Sequence, residues 1–199
     1  LIVDDDNDAP PDYARYFVEI FDSIKVPYMV WTKTEQATPP SDTLVDYPLT
    51  IWLTGDSRPD MLTAADVANL RTLLDAGGRA LITGQDIAQN LASSSDADFL
   101  ADYVYSEFQP GPTPFLIADG IMGDAISDGH QFALGGAGGS ANQNSPDRIS
   151  PIGPRAQPIY TYYLSDDIAG VRVRGEGYRL VFCGFGMEAI ADGLPGFTK

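Results

Sequence analysis

Short apolar runs alternate with amphipathic stretches through the first ninety residues, and this alternation restricts the fold more than any other feature. LIV (1–3), VPYMVW (26–31), PLTIWLTG (48–55) and RALITG (79–84) are compact apolar runs fit for strands buried on both faces. Between the first two lies DYARYFVEIFDSI, in which Tyr13, Tyr16, Phe17, Ile20, Phe21 and Ile24 recur at helical spacing. Before the fourth lies TAADVANLRTLLDA, with Thr63 and Asp66 placed as a capping box and Gly77–Gly78 as a stop. Strands joined by helical crossovers predict a doubly wound, mainly parallel α/β sheet with helices on both faces. DIAQNLA (86–92) and DADFLADYVYSEF (96–108) read as further helices.

The second half changes character. Residues 106–158 are rich in Gly, Pro, Ser and Asn, and the Gly135–Asp147 stretch reads as a long irregular loop. PIYTYYL, AGVRVRG and YRLVFCGF then predict strands, the last two joined at GEG as a C-terminal β-hairpin extension, with MEAIAD as a short final helix.

Length and charge narrow the function. A chain of 199 residues with no sharp shift in composition is expected to form a single domain, residues 1–199. A first residue other than Met is expected of a fragment of a longer polypeptide. The net charge of -16 argues against nucleic acid and against anionic membranes, and such an acidic surface suits a secreted or extracellular protein. Cys183 is the single cysteine, which excludes an internal disulfide.

The acids are concentrated where such a fold collects ligands. In an open parallel sheet, ligands gather beyond the carboxyl ends of the strands. A strand order of 2-1-3-4 brings Asp4, Asp5 and Asp6 to one edge with Asp56, Gln85 and Asp86. Asp5, Asp6, Asp56, Gln85 and Asp86 are therefore the candidate ligand-binding residues. Asp4, Asp6 and Asp56 are candidate ligands for Ca2+ or Mg2+, and no other cofactor is expected. The alternative expectation is a solvated acidic loop, one member of which caps the following helix. An EF-hand loop starting at Asp4 fails, because its sixth position is Ala9 and its twelfth Arg15. A phospho-acceptor receiver fails as well, since no Lys occurs between Lys33 and Lys199. Asn142, Gln143 and Asn144 in the long loop form a second candidate surface.

Nucleophilic chemistry has few carriers. His130 is the one histidine, and Ser57 in LTGDSRPD the one tempting partner, similar to the Gly-Asp-Ser of GDSL-type hydrolases. Those enzymes carry the motif on their first strand, whereas here it follows the third. As a rival, Gly-Asp-Ser is ordinary turn and cap sequence. A buried Cys183 would act as a small hydrophobe.

LIVDDD, YPLTIWLTGDS, LLDAGGRALITGQDIA, NQNSPD and YRLVFCGFGMEAI together resemble accessory domains of the class I glutamine amidotransferase-like superfamily. These domains occur within large secreted bacterial proteins beside peptidase and adhesion modules. The resemblance implies a flavodoxin-like sheet, and in active members a nucleophilic Cys on the sharp turn after a central strand. Here that turn is LITGQDIA, carrying Gln85 and Asp86, and no His-Glu pair matches. The resemblance therefore implies a non-catalytic accessory domain whose partners are neighbouring domains of the same polypeptide, or a protein or glycan. The rival class is an enzyme, either a hydrolase using Ser57 and His130 or a metal-assisted one at the acidic strand ends.

Overall fold

The computed structural model describes residues 1–7, 12–56 and 61–191. The elements run β1 (Ile2–Asp4), α1 (Ala14–Ile24), β2 (Val30–Thr32), α2 (Lys33–Gln36), α3 (Ser41–Val45), β3 (Thr50–Leu53), α4 (Ala64–Asp75), β4 (Arg79–Thr83) and α5 (Ile87–Ala92). A π-helical turn at Leu100–Val104 follows. Then come β5 (Ser106–Phe108), β6 (Ile117–Gly120), β7 (Gln131–Ala133), β8 (Ile149–Pro151), β9 (Ala156–Tyr162), β10 (Ile168–Arg174) and β11 (Arg179–Cys183). A 3-10 turn at Met187–Ala189 stands where the sequence predicts a final helix. Among the described residues no helix is long and apolar enough to cross a membrane.

Among the described residues one mixed sheet of 11 strands joins these elements, in the order β2-β1-β3-β4-β11-β10-β9-β6-β7, with β5 and β8 branching from β10. The expected 2-1-3-4 order is present, and β1 pairs in parallel with both β2 and β3. The expectation of a mainly parallel sheet needs correction. The five-strand block β2-β1-β3-β4-β11 is parallel, and from β10 onward the pairings are antiparallel. The strands β5 to β8 are only three or four residues long, too short to print a two-residue period on a Gly- and Pro-rich stretch. Nor is the C-terminal hairpin an appendage. β11 inserts beside β4 in the middle of the sheet, with Val181 opposite Leu81, and closes the parallel block.

The pleat sorts the core. Alternate strand residues face opposite sides of a sheet. Val3, Trp52 and Ile82 accordingly join Val67, Leu70, Leu73 and Leu74 of α4 in one cluster. Ile2, Ile51 and Leu53 join Tyr13, which precedes α1, and Ala14 and Phe17 of α1 in another. The capping box is formed as expected, Thr63 Oγ1 accepting from the Asp66 amide and Asp66 accepting from the Thr63 amide at 2.8 Å. The apolar stripe of α1 is only partly covered: Phe17 is buried and Phe21 half-buried, while Ile20 and Ile24 remain 55% and 58% exposed. A third cluster, around Ile159, Tyr162, Cys183 and Phe185, fills the antiparallel half.

Candidate functional site

The carboxyl ends of β1, β3, β4 and β11 share one edge because these strands are parallel, and the acidic run leaves β1 there. The two-residue period divides that run. Asp5 meets the α4 side, where its Oδ2 accepts from Trp52 Nε1 at 2.9 Å and its Oδ1 lies 2.7 Å from Lys33 Nζ. The same ammonium lies 2.6 Å from Asp66 Oδ2, so Asp5, Lys33 and Asp66 form a buried charge network. Burial raises the Asp5 carboxyl to about 6 although Lys33 pulls it down. Asp6 meets the α1 side, and its Oδ2 accepts from the Tyr13 amide at 2.9 Å, capping the entry to α1 from a distance.

Asp56, exposed beyond β3, lies against the Tyr13 hydroxyl; burial first, and then this carboxylate, push the phenol up to about 12. Gly55 makes the approach possible. It is left-handed (φ 54°), and a Cβ there would meet the Tyr13 ring at 2.4 Å. Among the described residues, one group of carboxylates is spaced to hold a cation: Asp4, Asp6 and Asp12, whose oxygens lie within 4.8 Å of one another. Asp12, which the sequence reading did not name, completes this group, and Asp56 is not among its members.

The bend after β4 is occupied from within. Gln85 Nε2 donates to the Asn142 carbonyl at 2.9 Å, and its Oε1 accepts from the amides of Asn144 and Ser145 at 2.7 and 2.9 Å. Asp86, left-handed at φ 62°, accepts from Ser145 Oγ. Asp147 accepts from the Ala88 amide at 2.6 Å at the start of α5. Its carboxyl is pushed up to about 7 by burial, with the Asp86 carboxylate adding to the rise. The Gly135–Asp147 stretch is thus a folded cover over the carboxyl edge. Asn142 donates to Glu188 Oε1 at 2.8 Å, and Gln143 accepts from the Gly186 amide at 2.9 Å.

Glu188 was not among the sequence candidates. It is 2% exposed, its Oε2 has no hydrogen-bond partner among the described residues, and burial followed by the charges of Asp6 and Asp56 lifts it to about 7. In FGMEAI it reads as an ordinary acid on a surface helix. Lys33 was missed too, since no local pattern separates it from a solvated lysine. Beside Glu188, a groove of about 370 Å³ runs between α1 and the 187–190 turn, lined by Phe17, Ile20, Met187 and Ile190 among others.

Of the nucleophile candidates, His130 lies away from this edge. Ser57 lies outside the described residues. His130 is exposed just before β7, six strand positions from β3, a path of roughly 29 Å at the usual strand spacing. The alternating directions of β10, β9, β6 and β7 put it at the amino edge of the sheet, whereas Asp56 stands at the carboxyl edge. Cys183 is wholly buried in β11, and burial pushes its thiol up to about 12.

No family model and no curated protein matches the chain. Among solved structures it is similar to the mmIFT52 N-terminal domain, with a TM-score of 0.62 and 13% identity, covering 96% of this chain and 90% of that one. It is also similar to part of the exo-beta-1,4-mannosidase Op5Man5 from Opitutaceae bacterium strain TAV5, with a TM-score of 0.58 and 15% identity. That match covers 90% of this chain but 28% of the mannosidase. At such identities the likeness is one of fold.

Proposed function

We propose that the chain is a non-catalytic accessory domain of the flavodoxin-like, amidotransferase-like kind, housed in a secreted multidomain protein, where it supports neighbouring modules or binds a protein or glycan. The observation that carries this reading is the state of Gln85. At the bend where a working relative would present sulfur, an amide stands with both ends engaged by the 142–145 backbone. A group held in this way is unavailable to attack an acyl carbon. The buried, poorly acidic Cys183 supports the same view, because the thiolate is the reactive form of cysteine. The likeness to 28% of a mannosidase fits a module carried inside a larger chain.

Turnover assays test the reading directly. Chromogenic esters, anilides and glycosides incubated with the purified protein are expected to react at the buffer rate. Activity that copurifies with the protein and disappears in Asp56→Asn or Gln85→Ala overturns it.

A second reading, a cation site at the acidic edge, is favoured by the grouping of Asp4, Asp6 and Asp12. It expects calcium or magnesium to raise the melting temperature and to lose that effect in Asp12→Asn. A calorimetric titration with no heat, together with an unchanged melting temperature, rejects it.

A further inference from the structure

The edge of the sheet opposite the acids carries a different surface. In a chain with 28 acidic and 12 basic residues, four of the nine arginines line one groove. Arg79, Arg172, Arg174 and Arg179 surround about 340 Å³ of open space at the amino ends of β4 and β11 and the carboxyl end of β10. The register sets three of them side by side, Arg79 opposite Arg179 and Arg179 opposite Arg174, so all three point to the same face. Like charges placed directly opposite across strands destabilise a sheet. Arg172 relieves its own charge through Asp124 at 2.7 Å. Arg79, Arg174 and Arg179 are exposed and form no ion pair among the described residues.

The groove is not purely basic. Leu49 and Ile126 border it at 39% and 44% exposure, and the half-buried Val181 belongs to its lining. The helix on that side, α1, packs on Ile2, Ile51 and Leu53 and leaves this part of the face uncovered.

We propose that this groove docks an acidic, leucine-type apolar segment of a partner protein, whose carboxylates pair with Arg79, Arg174 and Arg179 while its aliphatic side chains cover Leu49 and Ile126. The guanidinium fork matches a carboxylate in two parallel hydrogen bonds, and a carboxylate would relieve the crowding of the three arginines. A neutral glycan fits less well, because no aromatic ring lines the groove to stack on a sugar face. The proposal extends the accessory reading by giving the partner a chemistry. Its test is binding, so its failure leaves turnover as the separate judge of catalysis.

The probe is an array of fluorescein-labelled 14-residue peptides in which glutamate and leucine are interspersed at two- and four-residue spacing, read by anisotropy at low salt on the whole chain. Saturable binding is expected for the best spacing, weakening steeply as sodium chloride is raised. Arg174→Gln with Arg179→Gln is expected to lower affinity about tenfold or more, as loss of charge partners at an interface does. Arg15→Gln with Arg71→Gln, an equal change of charge at arginines engaged on α1 and α4, is expected to leave it unchanged. The salt dependence of the wild type provides a readout that needs no variant. Failure of every peptide to bind, equal loss in both double variants, or tighter binding of a sulfated oligosaccharide than of any peptide overturns the proposal.

Discussion

Lys33 Nζ lies 2.7 Å from Asp5 Oδ1, and this pair turns one of the acids following β1 into part of the core. Asp5 is 3% exposed and reaches Trp52 through its second oxygen, while Lys33 continues to Asp66, the residue that caps α4. A run of aspartates that looks solvated in sequence thus ties β1, α2, β3 and α4 together.

Removing the cation should be severe. Lys33→Met leaves two buried carboxylates without their partner, a change that typically costs about 3–5 kcal/mol. Urea denaturation is expected to show a lower midpoint at unchanged slope. Restoring Lys33→Met with Asp5→Asn should recover part of the loss, because the unpaired charge at Asp5 is then gone.

Acid should stabilise this fold. Burial holds Asp5 at about 6, and Asp147 and Glu188 at about 7, above their ordinary carboxylate values. With the folded pKa above the unfolded one, the folded chain retains protons that the unfolded chain has released. Their stabilisation is complete below about pH 4 and is lost as pH rises through about 7. The melting temperature is expected to fall between pH 5 and pH 8, by a contribution on the order of 1–3 kcal/mol per group at full ionisation. Glu188→Gln should flatten the profile and melt above the wild type at pH 8. A profile that rises with pH would contradict the assignment.

The cover over the carboxyl edge should loosen when Gln85 is cut back. Gln85→Ala leaves the amides of Asn144 and Ser145 without their buried acceptor, at about 1–3 kcal/mol for an unsatisfied group, while the Asn142 carbonyl keeps the Asn144 Nδ2 donor. Hydrogen exchange at Asn144 and Ser145 should accelerate, while the amides of β4 remain protected. Uniform acceleration across the sheet would show that the clamp is part of the global core instead.

Gly186 should resist replacement. A Cβ there would stand 2.0 Å from Glu188 Oε1, so Gly186→Ala must displace the buried carboxyl that Asn142 holds. Destabilisation of about 1–3 kcal/mol is expected, as for overpacking elsewhere. The accompanying Glu188→Ala change should relieve most of it.

Cys183 should be chemically silent in the native state. Iodoacetamide labelling at pH 8 is expected to proceed at the rate of unfolding and to accelerate with urea in parallel with it. Rapid labelling without denaturant would show an opening of β11 that the packed sheet does not contain.

The parts of the fold legible in the sequence are those set by local period. The apolar runs of β1 to β4, the stripe of α4, the Thr63–Asp66 box and the β10–β11 hairpin all follow from spacings of two or 3.6 residues and from turn chemistry. The 2-1-3-4 order is one of those open to a doubly wound sheet, and no local period selects it. The insertion of β11 beside β4 was not legible, because an apolar strand carries no mark of which neighbour it will take. The candidate edge was likewise visible as a place, through the acids after β1 and the residues after β3 and β4. Its chemistry was not. Whether an aspartate is a ligand, a helix cap or half of an ion pair depends on distance and desolvation. Those are fixed only when Lys33 meets Asp5, when the 142–145 backbone closes on Gln85, and when Glu188 is carried out of water. The sequence alone determined where the chain is apolar and with what period; the tertiary structure decided which charges are paired, because Coulomb and solvation energies belong to positions in space rather than in the chain.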